Sequence, residues 1–342
     1  MNNRERFIRT IERKPVDYPA SWLGQPTPQA EKGLFEYFNV SSIRELCIKL
    51  NTDVIAIDLP YHSEVSDAIY AAFDFSKVKH DDKFDRTLTE EGFFADRDDP
   101  ASVEDFDWPD PEKYIDPKEC FKIVSEAPEE MAKLGVVWSA HFQDACAAFG
   151  MENALCNMIT NPEMYLAVVE KIENFYLRAN EIFYESTKGY LDAVLIGNDL
   201  GSQNGLMISE DMIRRFVLPG TKKFVQQAKS YGLKVIHHSC GAISSIIPEL
   251  IEIGVDVVHP IQALAKGMEP NLLKQKFGKD ISFCGGVDAQ HLLVNGSPDD
   301  IKRKVEELKT IFPTGLIISP SHEAILEDIP PQNIEALFGG VR

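Results

Sequence analysis

Short β-branched runs recur along this chain, each followed by a polar turn and then by apolar residues at helical spacing. Eight such runs are predicted as strands: 18–23, 53–59, 135–141, 191–198, 234–239, 255–260, 281–287 and 315–319. Between them, apolar positions three and four apart predict helices over 162–186, 210–231 and 301–311, with shorter ones over 243–253 and 334–338. Alternating strands and helices imply a parallel sheet, and eight repeats imply closure into a (β/α)8 TIM barrel. An open doubly wound sheet is the alternative, but no G-x-G-x-x-G follows the first run. The fold class is therefore α/β, with residues 1–342 read as one barrel carrying an N-terminal helix.

One interval interrupts the repeat. Residues 61–130 are acidic and aromatic and include HDDKFDRTLTEEGFFADRDDPASVEDFDWPDPEKYIDP. This stretch is too aromatic for a disordered linker and too short for a second domain. It reads as an insertion after the second strand, lying over the barrel mouth, with a hairpin over 87–96. There is no long internal repeat and no low-complexity tract.

Charge narrows the partners. Lys plus Arg number 35 against 54 Asp plus Glu, a net charge of −19. So acidic a surface repels phosphate backbones and anionic lipid, which argues against nucleic acid and membranes as partners. The segment MNNRERFIRTIERK predicts a charged amphipathic helix without the apolar core of a signal peptide. No stretch is long and apolar enough to span a bilayer. The six cysteines are scattered without a C-x-x-C pair and read as reduced thiols of a cytoplasmic protein.

In such barrels the chemistry sits where strands run into their following loops. Those ends read VIAIDLP (Asp58), WSAHFQD (His141), LIGNDLGSQ (Asn198, Asp199, Gln203), VIHHSCG, VVHPIQA (His259), FCGGVDAQH (Cys284) and ISPSHEA (His322). Five of the eight predicted ends carry His or Cys, although the chain holds only eight histidines. On an extended strand, residues two apart face the same way, so His238 and Cys240 both point into the mouth and His237 points away. A neutral imidazole and a thiolate suit zinc. Cys284 and His322 are candidates for completing the shell, and three protein ligands suffice for a catalytic zinc. The alternative is a buried thiol beside a hydrogen-bonded core histidine. Asp58 and Asp199 are candidate general acids, bases or ligands, or else helix caps. His141, Asn198, Gln203 and His259 are candidate substrate-binding residues. Tyr18, Trp22, Trp138 and Phe149 line an apolar pocket or pack in the core.

The series NDLGSQNGLMISEDMIRRFVLP, HHSCG, GVDVVHPIQ, FCGGVDAQHLL and ISPSHEAILEDIPPQNIEAL, with RERFIRTIERKPVDYPA at the N-terminus, resembles the uroporphyrinogen decarboxylase superfamily. That resemblance implies a (β/α)8 barrel and divides into decarboxylases and corrinoid-linked methyltransferases. Decarboxylases carry an Arg-rich segment after the first strand that pairs with the porphyrinogen's acidic side chains. Here it reads SWLGQPTPQAEKGLFEYF, with no arginine between Arg13 and Arg44, and bidentate recognition of carboxylates needs that guanidinium. Asp58 aligns with the decarboxylase aspartate, while the tyrosine those enzymes place after the third strand is missing from HFQDACAAFG.

The methyltransferase branch is similar in having His-x-Cys-Gly on the fifth strand, matched by His238 and Cys240, and a third zinc ligand, a Cys, where this chain has His322. The resemblance thus implies a zinc-assisted methyltransferase that exchanges a methyl group between a small donor or acceptor and a separate corrinoid protein. A decarboxylase using Asp58 without metal is the alternative. A non-catalytic barrel binding a corrinoid or tetrapyrrole is a third.

Overall fold

A computed structural model of the chain describes residues 1–77 and 88–342. Its main sheet is parallel and seven-stranded. In chain order, after a two-residue strand β1 (Gln25–Pro26), come β2 (Val54–Asp58), β3 (Ala132–Trp138), β4 (Ala193–Gly197), β5 (Lys234–His238), β6 (Val257–Ile261), β7 (Ser282–Val287) and β8 (Leu316–Pro320). Each pairs with the next, so the spatial order β2-β3-β4-β5-β6-β7-β8 never reverses. An open doubly wound sheet would reverse at a switch point. β1 pairs in parallel with a second short strand, β9 (Ala324–Ile325).

The first predicted run appears in reduced form. Instead of a strand over 18–23, Ser21 makes an isolated parallel bridge to Ile318 of β8, and Trp22 makes one to Val54 of β2. This short stretch touches both edges of the sheet, so the sheet is curled. Alternate strand residues face its interior: Val54, Leu134, Val136, Leu195, Ile236, Val257 and Ile317 pack there with Trp22. The helix Asn3–Ile11 adds Phe7 and Ile11 to the same cluster. It is fixed by Arg6, whose guanidinium is 2% exposed and donates to Asp17 at 2.7 and 3.0 Å and to Asp53 at 2.6 Å. Asp53 in turn accepts from the Ser21 backbone N–H at 2.8 Å and ties the bridging segment to β2.

The outer helices follow their sequence signals closely. Pro162–Ser186 has the predicted span; it starts at an Asn161 cap with proline at its first position. The helix expected over 210–231 is two, Glu210–Phe216 and Leu218–Ser230, because Pro219 lacks the N–H needed to continue the first. Two other expectations are corrected. The third strand ends at Trp138, not 141, because Trp138 and Ser139 take left-handed φ values of 53° and 56°. His141 therefore opens the helix His141–Phe149. The hairpin expected over 87–96 begins at Thr87, outside the described residues; from 88 onward the chain forms bends and a turn, with Gly92 bridging Ser76.

Candidate active site

The ends of β4, β5, β6 and β8 bring together side chains far apart in sequence. His238 ends β5, and Cys240 follows two residues later. Their shared direction shows in the 3.5 Å approach of Cys240 Sγ to His238 Nε2. Asp199, just past β4, places Oδ1 3.2 Å from the same Nε2 and accepts the Cys240 backbone N–H at 2.9 Å. Such close contact depends on Gly197: a Cβ there would lie 2.2 Å from the His238 carbonyl oxygen. Ligand atoms of Asp199, His238 and Cys240 all lie within 4.8 Å of one another, and so do those of His238, His259 and Glu323.

The other face of the His238 ring completes the arrangement. His238 Nδ1 lies 3.0 Å from His259 Nδ1 and 3.4 Å from Glu323 Oε2. Glu323 also lies 3.5 Å from His322 Nδ1, and the His322 ring stands edge-on to His238 at 6.3 Å.

These contacts set the charges. Burial opposes charge on His238, but Glu323, Asp199 and Cys240 outweigh it and raise its pKa well above the usual imidazole value. Burial likewise pushes the Asp199 carboxyl up, yet the hydrogen bond and charge of His238, with Cys240, hold it well below the usual carboxylate range. His259 is pushed well below its ordinary value by burial and by repulsion from His238 and His322. His322 is raised, chiefly by its hydrogen bond to Cys240.

A cavity of about 780 Å³ opens beside this cluster. Asp58, Trp138 and Glu323 line it, and the segment after β2 adds Asp67 and Tyr70. Asp58 accepts from Gln25 Nε2 at 3.0 Å and caps no described helix, since the next helical segment begins after Ala68. The surrounding protein raises its pKa by desolvation, partly offset by Gln25. Trp138 joins cavity to cluster, its ring standing 5.4 Å from that of His238 at 80°.

Other candidates lie elsewhere. His141 is fully buried, with Nε2 3.0 Å from the Val217 carbonyl and Nδ1 3.3 Å from Asn198 Nδ2. Asn198 accepts the Phe142 backbone N–H at 2.8 Å, so this pair braces a helix start. Gln203 is exposed and donates to Gln290 at 3.2 Å. Cys284 is fully buried in the interior cluster with Ile317 and Val257, its thiol pushed far up by burial. Trp22 and Phe149 are core residues. Sequence reasoning passed over Glu323, although it directly follows His322 at a predicted strand end. A carboxylate beside a histidine is a common pair, and only the folded chain turns it toward His238.

The uroporphyrinogen decarboxylase (URO-D) family signature matches residues 89–342, most of the chain. The chain belongs to the uroporphyrinogen decarboxylase family. Within that family it is similar to a methylated-thiol–coenzyme M methyltransferase of Methanosarcina mazei, 25% identical over 218 residues. That stretch is 60% of this chain and 54% of the relative's own length. A solved methyltransferase structure from Methanosarcina mazei superposes with a TM-score of 0.70 at 16% identity, covering 99% of this chain and 98% of that one, a likeness in fold. Both relatives are methyltransferases, so this URO-D family chain stands nearer the methyltransferase branch than the decarboxylases. No helix among the described residues is long and apolar enough to cross a membrane.

Proposed function

We propose that this URO-D family chain is a cytoplasmic methyltransferase that moves a methyl group between a small substrate and a separate corrinoid protein, with zinc held at Asp199, His238 and Cys240. One observation carries the reading: oxygen, nitrogen and sulfur ligand atoms from two strand ends converge within 4.8 Å. That donor set suits zinc, and three protein ligands leave a position for substrate. His322, whose ring stands 6.3 Å from that of His238, is the candidate for a further ligand; Cys284 would have to leave its packed interior position to serve. When bound, zinc would supply Lewis acidity, lowering the pKa of a thiol or polarising the heteroatom that carries the methyl group.

The chain's own residues do the rest. Asp199 orients His238 and Cys240 together. With His238 Nε2 turned toward Asp199 and Cys240, its Nδ1 is left to His259 and Glu323, the kind of outer contact that fixes a ligand's tautomer and ring orientation. Asp58 anchors substrate or holds a proton at the cavity wall. The reading takes residues 1–342 as one eight-stranded barrel whose first strand is reduced to the Ser21 and Trp22 bridges. Residues 61–77 and 88–130 cover its mouth, and the corrinoid protein docks on that face.

A metal-free decarboxylase centred on Asp58 is the second reading, favoured by that carboxyl's position in the cavity. Against it, the described cavity lining has three acidic side chains and no Lys or Arg to meet a substrate rich in carboxylates. Protein purified without chelator should contain one equivalent of zinc and catalyse methyl exchange between cobalamin and a methylated substrate. Absence of zinc, or conversion of uroporphyrinogen to coproporphyrinogen, would reject the proposal. Tight tetrapyrrole binding without any turnover would leave a carrier instead.

A further inference from the structure

The cavity beside His238 has a marked chemical bias. Three carboxylates share its wall, and the described lining has no Lys or Arg. Asp58, exposed at the end of β2, is held only through the neutral amide of Gln25, whereas Glu323 Oε2 is ion-paired with His238 at 3.4 Å and with His322 at 3.5 Å. Asp67, on the same wall, is already engaged by His62 at 3.2 Å. Two aromatic rings, Trp138 and Tyr70, share the lining with these acids. Trp138 is brought there by a left-handed backbone that a bulky residue seldom adopts. Hydrogen bonds next to it hold that conformation: Ser139 N–H to the Val137 carbonyl at 2.6 Å and Asn180 to Ser139 Oγ at 3.0 Å.

Among the described residues Asp58 has no cationic partner, and a ligand that brings a positive charge beside it gains that attraction at short range. Aromatic rings attract cations that cannot themselves donate hydrogen bonds, which is how quaternary ammonium groups are recognised. An anionic ligand such as a sulfonate would meet the repulsion of Asp58 and Glu323 at short range.

We propose that this cavity binds a small quaternary ammonium compound, held between the carboxylates of Asp58 and Glu323 and the rings of Trp138 and Tyr70. The inference rests on reading the cavity as the substrate site of the proposed methyltransferase and names the substrate class.

Isothermal titration of the full chain with choline, with its uncharged tert-butyl analogue and with propanesulfonate tests it, both zinc-loaded and after chelation. Choline should bind roughly tenfold or more tighter than the tert-butyl analogue, and propanesulfonate should not bind. Asp58→Asn should remove most of that discrimination, and Glu323→Gln provides a second variant should the first fail to fold. Trp138→Phe should retain choline binding, whereas Tyr70→Leu should weaken it. Equal affinity for choline and the tert-butyl analogue, tighter binding of the sulfonate, or no binding of choline overturns the proposal. Choline binding without zinc or methyl exchange would leave it standing while defeating the methyltransferase reading. Methyl exchange with no preference for charge would do the reverse.

Discussion

His238 and His259 present their Nδ1 atoms to each other at 3.0 Å. At that distance one nitrogen must donate and the other accept, so the two rings cannot both carry a proton on Nδ1. Burial and the neighbouring charge keep His259 neutral, while His238, raised well above its ordinary value, carries a proton on both nitrogens, so His259 accepts at Nδ1 and holds its own proton on Nε2. His238 is therefore the donor at Nδ1, and its Nε2 is the atom turned to Asp199 and Cys240. A single pairing thus decides which His238 nitrogen faces the proposed metal.

Removing that nitrogen should remove the metal. Protein carrying His238→Ala, purified without chelator, should hold less than a tenth of the zinc of the parent chain by elemental analysis. Asp199→Ala should weaken zinc by roughly 10- to 100-fold, the usual cost of losing a weaker ligand or its supporting contact. A full equivalent of zinc in His238→Ala protein would place the metal elsewhere.

His237 points to the opposite side of β5, is fully buried, and has neither ring nitrogen hydrogen-bonded. Burial, with repulsion from His238 and His141, pushes its pKa down to about 3. In the unfolded chain the value is about 6.5. Between those values the unfolded state binds a proton that the folded state refuses, so stability falls as pH drops below 6.5. From pH 7 to pH 5 this group alone should cost about 2 kcal/mol. His237→Phe should flatten that interval in urea titrations, and an unchanged pH dependence would show that His237 does not stay neutral when folded.

Arg6 links the N-terminal helix to the interior through two carboxylates, one of them, Asp53, fully buried. Arg6→Ala strands that buried charge and should destabilise the chain by about 3–5 kcal/mol. Arg6→Ala with Asp53→Asn should recover much of the loss. Equal instability of the single and double variants would show that packing, not charge, is at stake.

Gly197 permits backbone contact between β4 and β5 beside the site. Gly197→Ala would force a Cβ to 2.6 Å from the His238 Cβ. The cost should be about 1–3 kcal/mol in stability, with zinc content falling as well. A variant as stable as the parent would mean that the two strands can separate there without penalty.

The parts of this molecule that repeat were legible in its sequence. Helix 162–186 announced itself by apolar residues at helical spacing, and the strands of the main sheet by β-branched runs. The alternation rule put His238 and Cys240 on one side and His237 on the other, as their surroundings bear out. Local patterns could not show where partners sit in space. The first run is reduced to two bridges because its backbone pairing depends on Ile318 and Val54, hundreds of residues apart. His141 left the strand because Trp138 and Ser139 adopt a conformation no propensity assigns to them. Glu323 was missed because its contact with His238 forms only when β5 and the loop after β8 meet.

His322 and Cys284 are the two residues that sequence position alone could not separate as further ligands, and their surroundings now differ. Cys284 packs at zero exposure among aliphatic side chains, where burial disfavours the thiolate that zinc requires. His322 is open at the rim, 3.5 Å from Glu323 and with its ring 6.3 Å from that of His238. Cys284→Ala should therefore keep its full zinc content and lose only about 1 kcal/mol, the cost of one small buried group. His322→Ala should keep its stability and lose zinc affinity by roughly 10- to 100-fold, read by competition with a chelating dye. Should the two variants exchange these outcomes, the interior thiol reaches the metal and the strand ends must rearrange to bind it.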